Sequence, residues 1–313
     1  MLLAGVAVLG LKLLALHYGR AVDRGELLDP AARQRRSDLG KDLNYLLVGS
    51  DQRPGATSAD QRSDTILIVH IPAGMRQAYL ISVPRDLLVA IPAGGDWGGG
   101  RDKINAAYEH GGGGEGGARL LSATLTRLTG LHFDGAALID FSGFRTVIDL
   151  LGGVRMCVDT PVRSIHTGTV FAAGCQQMDG ARALDYVRQR YGLPGGDYDR
   201  QRHQQQLLRA MLDRAGQTNL RGDPVRLDRL IRAAGDSLTV DTNGVPLDDL
   251  VFALRALPAN ALHGIKLPSH PQNIDGVSYV VLDDDDGGGL FPALRDRRVA
   301  SWAVANPRWV NPL

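Results

Sequence analysis

Three short apolar runs follow one another early in the chain, and each meets a polar or charged residue at one end. Residues 44–49 (NYLLVG) run into Ser50 and Asp51. Residues 66–71 begin directly after Arg62, Ser63, Asp64 and Thr65, and residues 78–83 lead into Pro84, Arg85 and Asp86. Runs of this length, rich in Ile, Val and Leu and bounded by Pro, Gly and Asp, predict strands. Further strands are expected at 87–91, 136–139, 154–158, 265–268 and 277–282. Between them, apolar residues recur at helical spacing over 118–128, 141–151 (closed by Gly152 and Gly153), 204–216, 225–234 and 247–257. Strands alternating with helices predict an α/β fold whose mixed or mostly parallel sheet is covered on both faces. In such sheets functional groups gather at strand ends, which draws attention to Asp51, Asp64 and Arg85.

A second dense stretch, 186–206, reads YVRQRYGLPGGDYDRQRHQQQ. A Gly/Pro turn at Pro194-Gly195-Gly196 separates two helical patterns, and Arg188, Arg190, Arg200 and Arg202 crowd around it with Asp197 and Asp199. Guanidinium forks beside a helix start suit phosphate oxygens; a solvated, salt-bridged surface gives the same pattern. The net charge is only +1, which argues against a general nucleic-acid binder, although the basic residues are 31 Arg against 4 Lys.

Residues 1–16 are almost wholly apolar apart from Lys12. The run is short for a bilayer crossing and lacks the flanks of a cleavable signal, so it is expected to be the outer part of a membrane anchor over 1–20. Residues 21–42 are charged and expected to be a membrane-proximal linker, with Arg33, Arg35 and Arg36 available to anionic headgroups. The folded domain is expected over 43–313. Cys157 and Cys175 lie 18 positions apart with Gly168 and Gly174 between them. A hairpin there would bridge them in an oxidising compartment, while in a reducing one they would be two buried thiols. The glycines at 94–100 and 111–117 lack a GxxxxGK[ST] pattern and are expected to be surface loops; the acids at 283–286 lack EF-hand spacing.

Collected together, Asp51 and Asp64 could hold a Mg²⁺ (or Mn²⁺), and Arg85, Lys103, Arg188, Arg190 and Arg200 could neutralise a diphosphate, with Asp197 and Gln204 beside them. The segments carrying these residues resemble the LytR-CpsA-Psr family of envelope phosphotransferases. They are NYLLVGSD, RSDTILIVHI, ISVPRDLLVAIP, DKINAAYEHGG, VIDLLGGV, ALDYVRQR and GDYDRQRHQQQ, in this order over about 44–282. The resemblance implies an α/β/α fold with an apolar groove for a polyprenyl tail, expected to be lined from 118–128 and 141–151. It implies transfer of a glycopolymer from a polyprenyl-diphosphate carrier to a peptidoglycan hydroxyl, on the outer side of the cell membrane in a single-pass protein. By the same likeness Asp51 and Asp64 match the Mg²⁺ carboxylates, and Arg85, Lys103, Arg188 and Arg190 match the diphosphate clamp. Asp197, Arg200 and Gln204 match the family's GDxxRxxxQ segment. Many members carry Arg just before that Gln; here it is His203, expected at the surface. The acceptor of the hydroxyl proton stays open between Asp197 and Asp64. Two other functions compete: a metal-dependent pyrophosphatase acting on polyprenyl diphosphates, and a non-catalytic receptor for envelope lipids or polyanions. DNA binding is not expected, because no recognition-helix pattern or basic arm is present.

Overall fold

The fold is described by a computed structural model over residues 23–35, 40–50, 63–218, 232, 235–245, 257–284 and 287–313. Eight strands form the central sheet: β1 (Asp23–Arg24), β2 (Leu43–Ser50), β3 (Ser63–Ile71), β4 (Ala78–Ser82), β5 (Gly135–Asp140), β6 (Leu238–Asp241), β7 (Leu262–Lys266) and β8 (Val310–Asn311). Their spatial order is β1-β6-β5-β2-β3-β4-β7-β8. The sheet is mixed: β2, β3 and β4 run antiparallel in succession, whereas β5 lies parallel to β2 and β7 parallel to β4. The described helices are α1 (Ile104–His110), α2 (Gly114–Thr129), α3 (Phe141–Leu150), α4 (Gly180–Val187), α5 (Asp197–Gln217), α6 (Leu290–Arg295) and α7 (Val299–Ala305).

Successive strand residues point to opposite faces, so each buried strand feeds two cores. Leu46, Val48, Ile66, Ile68 and Ile81 pack with Tyr108 of α1, Leu121 and Leu125 of α2, and Leu294 of α6. On the opposite face Leu43, Tyr45, Leu67 and Leu80 meet Leu208 and Leu212 of α5. A third cluster joins Ile148 of α3, Tyr186 of α4 and Leu207 of α5 to the hairpin Val154–Val158/Gly174–Met178. The three-layer α/β/α architecture is as expected.

Several boundaries differ from the sequence reading, each for a physical reason. Helix α5 starts at Asp197 rather than 204. Its first two turns carry no apolar stripe and are held instead by Asp197 and Asp199 at the positive helix end, with an Asp197–Arg200 pair one turn apart. The glycines at 111–117 are not a loose loop. A Cβ on Gly117 would come within 2.5 Å of the Tyr108 carbonyl oxygen, and one on Gly111 within 2.5 Å of that of Gly116, so they allow α1 and α2 to touch. Leu88–Ile91 is a strand, but it pairs with Gly100–Lys103 outside the central sheet.

Part of the expected linker belongs to the domain. Asp23–Arg24 pairs with β6, Leu27 and Leu28 are fully buried, and Arg33 binds Asp241 at 2.8 Å instead of facing solvent. The cysteines stand directly opposite each other in the hairpin and are joined by a disulfide. The expected anchor, Asp51, and the helices expected at 225–234 and 247–257 lie outside the described residues, apart from Arg232 and Leu257. Among the described residues no helix is long and apolar enough to cross a membrane.

Candidate active site

The antiparallel order of β2, β3 and β4 decides which residues meet. Ser50 at the end of β2 pairs with Ser63 at the start of β3 and with Asp140 at the end of β5. Ser82, the last residue of β4, pairs with Leu67. The polar termini seen in the sequence therefore share one end of the sheet. There a cleft of about 130 Å³ is lined by Asp64, Thr65, Arg85, Phe141, Ile165, His166, Arg188, Arg190, Tyr191, Arg200 and Gln204.

Each cation reaches the cleft from a differently fixed backbone. Arg85 sits in the turn after β4: the Leu87 N–H donates to Pro84, and the Asn105 N–H donates to the Arg85 carbonyl at 3.1 Å. Its Nη1 donates to Asp64 Oδ1 at 2.5 Å, and its Nε lies 3.7 Å from Asp86 and 4.0 Å from Asp197. Burial opposes its charge, but the carboxylates of Asp64, Asp197 and Asp86 outweigh burial and hold its pKa above the ordinary value. Arg188 ends α4 and lies 4.4 Å over the Phe141 ring; Arg190 stacks on Tyr191 at 4.8 Å and donates to its hydroxyl at 2.9 Å. Gln189 between them points inward and is fully buried. It donates to the Asp185 carbonyl at 2.7 Å and to Ser164 Oγ at 3.0 Å, and accepts from the Ile165 N–H at 3.2 Å. The run Arg-Gln-Arg thus presents two guanidiniums while its middle residue pins the neighbouring loop.

Arg200, 4% exposed, is held by Asp197 at 2.8 Å, and Gln201 donates to the other Asp197 oxygen at 2.8 Å. Asp197 stands behind the arginines and does not line the cleft. Lys103 is also one step away, bound to Asp86 at 2.9 Å and 5.6 Å from the Tyr279 ring centre. Of the sequence-derived set, the structure brings Asp64, Arg85, Arg188, Arg190, Arg200 and Gln204 into one cleft, with Asp197 and Lys103 as its support.

A second pocket, about 100 Å³, adjoins the first on the α5 side of the sheet. Leu47, Leu67, Phe144, Leu184, Leu207 and Leu208 supply most of its surface, and it shares Thr65, Phe141, Arg188 and Gln204 with the cleft. Of 141–151, Phe141 and Phe144 line this pocket, but none of 118–128 does, because α2 is buried against the other face of the sheet.

The sequence reading missed Asp86 and Tyr191; Asp86 directly follows Arg85 and Tyr191 follows Arg190, so adjacency was the available signal. Phe141 was expected to line an apolar groove, and it borders the arginine cleft as well. His203 is a correction: it is buried, its ring stacks on Tyr186 with centroids 4.5 Å apart, and its Nε2 is 3.1 Å from the Tyr186 hydroxyl. Burial, helped by the neighbouring Arg202 charge, lowers its pKa to about 4. Arg202 is itself engaged by Asp159 and Asp199.

Asp64 commits Oδ1 to Arg85, and its Oδ2 accepts no hydrogen bond among the described residues. Among the described residues no cluster of three or more His, Cys, Asp or Glu could hold a metal. One half-engaged carboxylate fits only a hard cation that draws most of its ligands from substrate oxygens and water.

The chain is 33% identical over 268 residues to the Corynebacterium glutamicum "Probable cell wall biosynthesis protein LcpB", covering 80% of this chain and 61% of that protein. It is 29% identical to the Oceanobacillus iheyensis "Polyisoprenyl-teichoic acid--peptidoglycan teichoic acid transferase TagU", covering 82% and 78%. Among solved structures, TagT bound to LIIa-WTA superposes with a TM-score of 0.67 at 24% identity, over 88% of this chain and 98% of that one. A Streptococcus agalactiae protein does so with 0.71 at 21% identity, over 82% and 88%. These two likenesses carry the fold. Residues 20–292 match the LytR_cpsA_psr family, and the chain belongs to that family.

Proposed function

We propose that the chain is a cell-wall glycopolymer transferase. It moves a glycan from a polyprenyl-diphosphate carrier to a peptidoglycan hydroxyl and releases polyprenyl phosphate. The observation that carries the reading is the junction of a four-arginine cleft with an apolar pocket through Thr65, Phe141, Arg188 and Gln204. An amphiphile with a charged diphosphate and a hydrocarbon tail matches both halves at once. The relatives named as teichoic acid transferases, and the TagT structure named for its LIIa-WTA ligand, support this substrate class.

Arg85, Arg188, Arg190 and Arg200 grip the diphosphate oxygens, with charge and fork geometry aimed at the group where negative charge builds. Asp64 and Asp197 orient Arg85 and Arg200, and Lys103 with Asp86 supports Arg85 from the flank. Mg²⁺ or Mn²⁺, held by Asp64 together with Asp51, would neutralise part of the diphosphate charge. The tail lies along Leu47, Leu67, Phe144, Leu184 and Leu208, which keeps water from the reacting phosphorus. A sugar hydroxyl attacks the phosphorus bearing the glycopolymer, and the bond to polyprenyl phosphate breaks. The diphosphate bond supplies the energy, so no nucleotide is required. Asp64 and Asp197 stay the two candidate acceptors for the hydroxyl proton, and of the two only Asp64 lines the cleft.

The apolar residues 1–20 act as a membrane anchor, and the domain works on the outer side of the cell membrane, a placement that suits the disulfide. Product analysis tests the function. With lipid-linked glycan and peptidoglycan, the products are glycan-bearing peptidoglycan and polyprenyl phosphate. Equal release of polyprenyl phosphate without the acceptor would make the protein a pyrophosphatase, and lipid binding without turnover would make it a receptor.

A further inference from the structure

Three of the six exposed large apolar side chains among the described residues are Ile165 at 57%, Tyr191 at 55% and Val170 at 54%. Ile165 and Tyr191 line the cleft. Val170 is the cross-strand partner of Arg163, on the small hairpin whose tip Gln189 pins to the end of α4. Arg163 is exposed, and Arg188 and Arg190 lie at the cleft edge, so the apolar side chains are interleaved with guanidiniums. Apolar tips ringed by arginines, with a tyrosine among them, suit the boundary between lipid headgroups and acyl chains.

The sheet register points the same way independently. One row across the sheet joins Asp23 to Thr239, Thr239 to Leu138, Leu138 to Val48 and Val48 to Ile66. Asp23 is therefore level with the start of β3, two residues from Asp64. Because β1 runs parallel to β6, and β6 runs away from the cleft, the chain enters β1 from the cleft end. The apolar segment 1–20 precedes this point. Two unrelated features, where the apolar leader joins the domain and where the domain exposes apolar side chains, thus mark the same end of the molecule.

We propose that this end is a bilayer-contact face. Ile165, Val170 and Tyr191 enter the headgroup–acyl boundary of an anionic phospholipid bilayer, while the exposed Arg163 meets lipid phosphates. The inference rests on the reading of 1–20 as an anchor and deepens the proposed transfer: the carrier's diphosphate reaches the arginines without its tail crossing water.

The test uses the full chain in vesicles of phosphatidylglycerol and phosphatidylcholine. An environment-sensitive fluorophore is placed on Ile165→Cys, on Val170→Cys or, as a control, on Ala73→Cys in the β3–β4 turn at the opposite sheet end. Both native cysteines are in the disulfide, so labelling is specific. Labels at 165 and 170 should shift to the blue and be quenched by lipids spin-labelled just below the headgroup, whereas the label at 73 should not. Equal quenching at all three positions would overturn the proposal. Val170→Glu should also lower transfer from a long-chain donor in vesicles by about tenfold and leave transfer from a short-chain, water-soluble donor unchanged. Equal loss with both donors would count against it. The labels report depth without turnover, so insertion at 165 and 170 in a chain that transfers nothing would uphold the bilayer face and refute the transfer reading.

Discussion

Replacing Arg85 with alanine removes one guanidinium from the cleft and the close partner of Asp64. The Asp64 carboxylate, 20% exposed, loses its 2.5 Å charge-assisted bond, while Asp86 and Asp197 keep Lys103 and Arg200. Losing one such bond at a mostly buried site costs about 2 kcal/mol of stability, a drop in Tm of roughly 3 °C for a domain of this size. Loss of a preorganised donor to a charged transition state costs a further ~3–4 kcal/mol of activation free energy, or about 10²–10³-fold in kcat. Arg85→Lys keeps the charge without the fork, so it should recover stability more fully than rate. The assay is transfer from a fluorescent lipid-linked glycan to peptidoglycan, with thermal melts of each variant as the fold control. Transfer by Arg85→Ala within about threefold of the parent, from a protein with an intact melt, would refute the clamp.

Three further outcomes follow from other parts of the structure. Buried His203 takes a proton near pH 4 when folded, against the usual 6.5. Its contribution is therefore complete above pH 6.5 and is lost as pH falls towards 4, about 3 kcal/mol in all. His203→Gln should flatten the pH dependence of chemical denaturation in that window, leaving the share due to buried His70, whose pKa is likewise lowered to about 4; an unchanged slope would contradict this. Cys157→Ser with Cys175→Ser should lower stability by about 3 kcal/mol, the loop-closure value for an 18-residue separation, measured as a lower denaturation midpoint. Gln189→Ala removes side-chain bonds to Ser164, Asp185 and the Ile165 N–H. It should cost about 2 kcal/mol and raise KM for the lipid donor by loosening the loop beside Arg188 and Arg190.

Much of the fold was legible because strands β2, β3 and β4 carry dense apolar runs with hard stops, and because the polar stops lie where the sheet ends. The rest was hidden for identifiable reasons. The first turns of α5 are held by charge rather than by an apolar stripe, so periodicity begins only at Leu207. The stripe of α2 says that a face is buried but not against which side of the sheet, and the helix lies on the side away from the apolar pocket. Residues 21–42 look like a charged linker because Leu27, Leu28 and Ala32 are too few to set a period, yet all three are buried in the main core. At the site, arginine spacing in 188–190 marked both arginines that reach the cleft. The inward turn of Gln189 and the platform offered by Phe141 depend on contacts between α3, α4 and the hairpin loop, which no local pattern encodes.

The central claim is that one ligand spans the arginine cleft and the apolar pocket. Calorimetric titration of the full chain in detergent with a polyprenyl diphosphate, the matching polyprenol and inorganic diphosphate tests it most directly. The account predicts that the complete amphiphile binds at least ~100-fold more tightly than either part alone. Inorganic diphosphate binding as tightly as the lipid, or the polyprenol doing so, would contradict it.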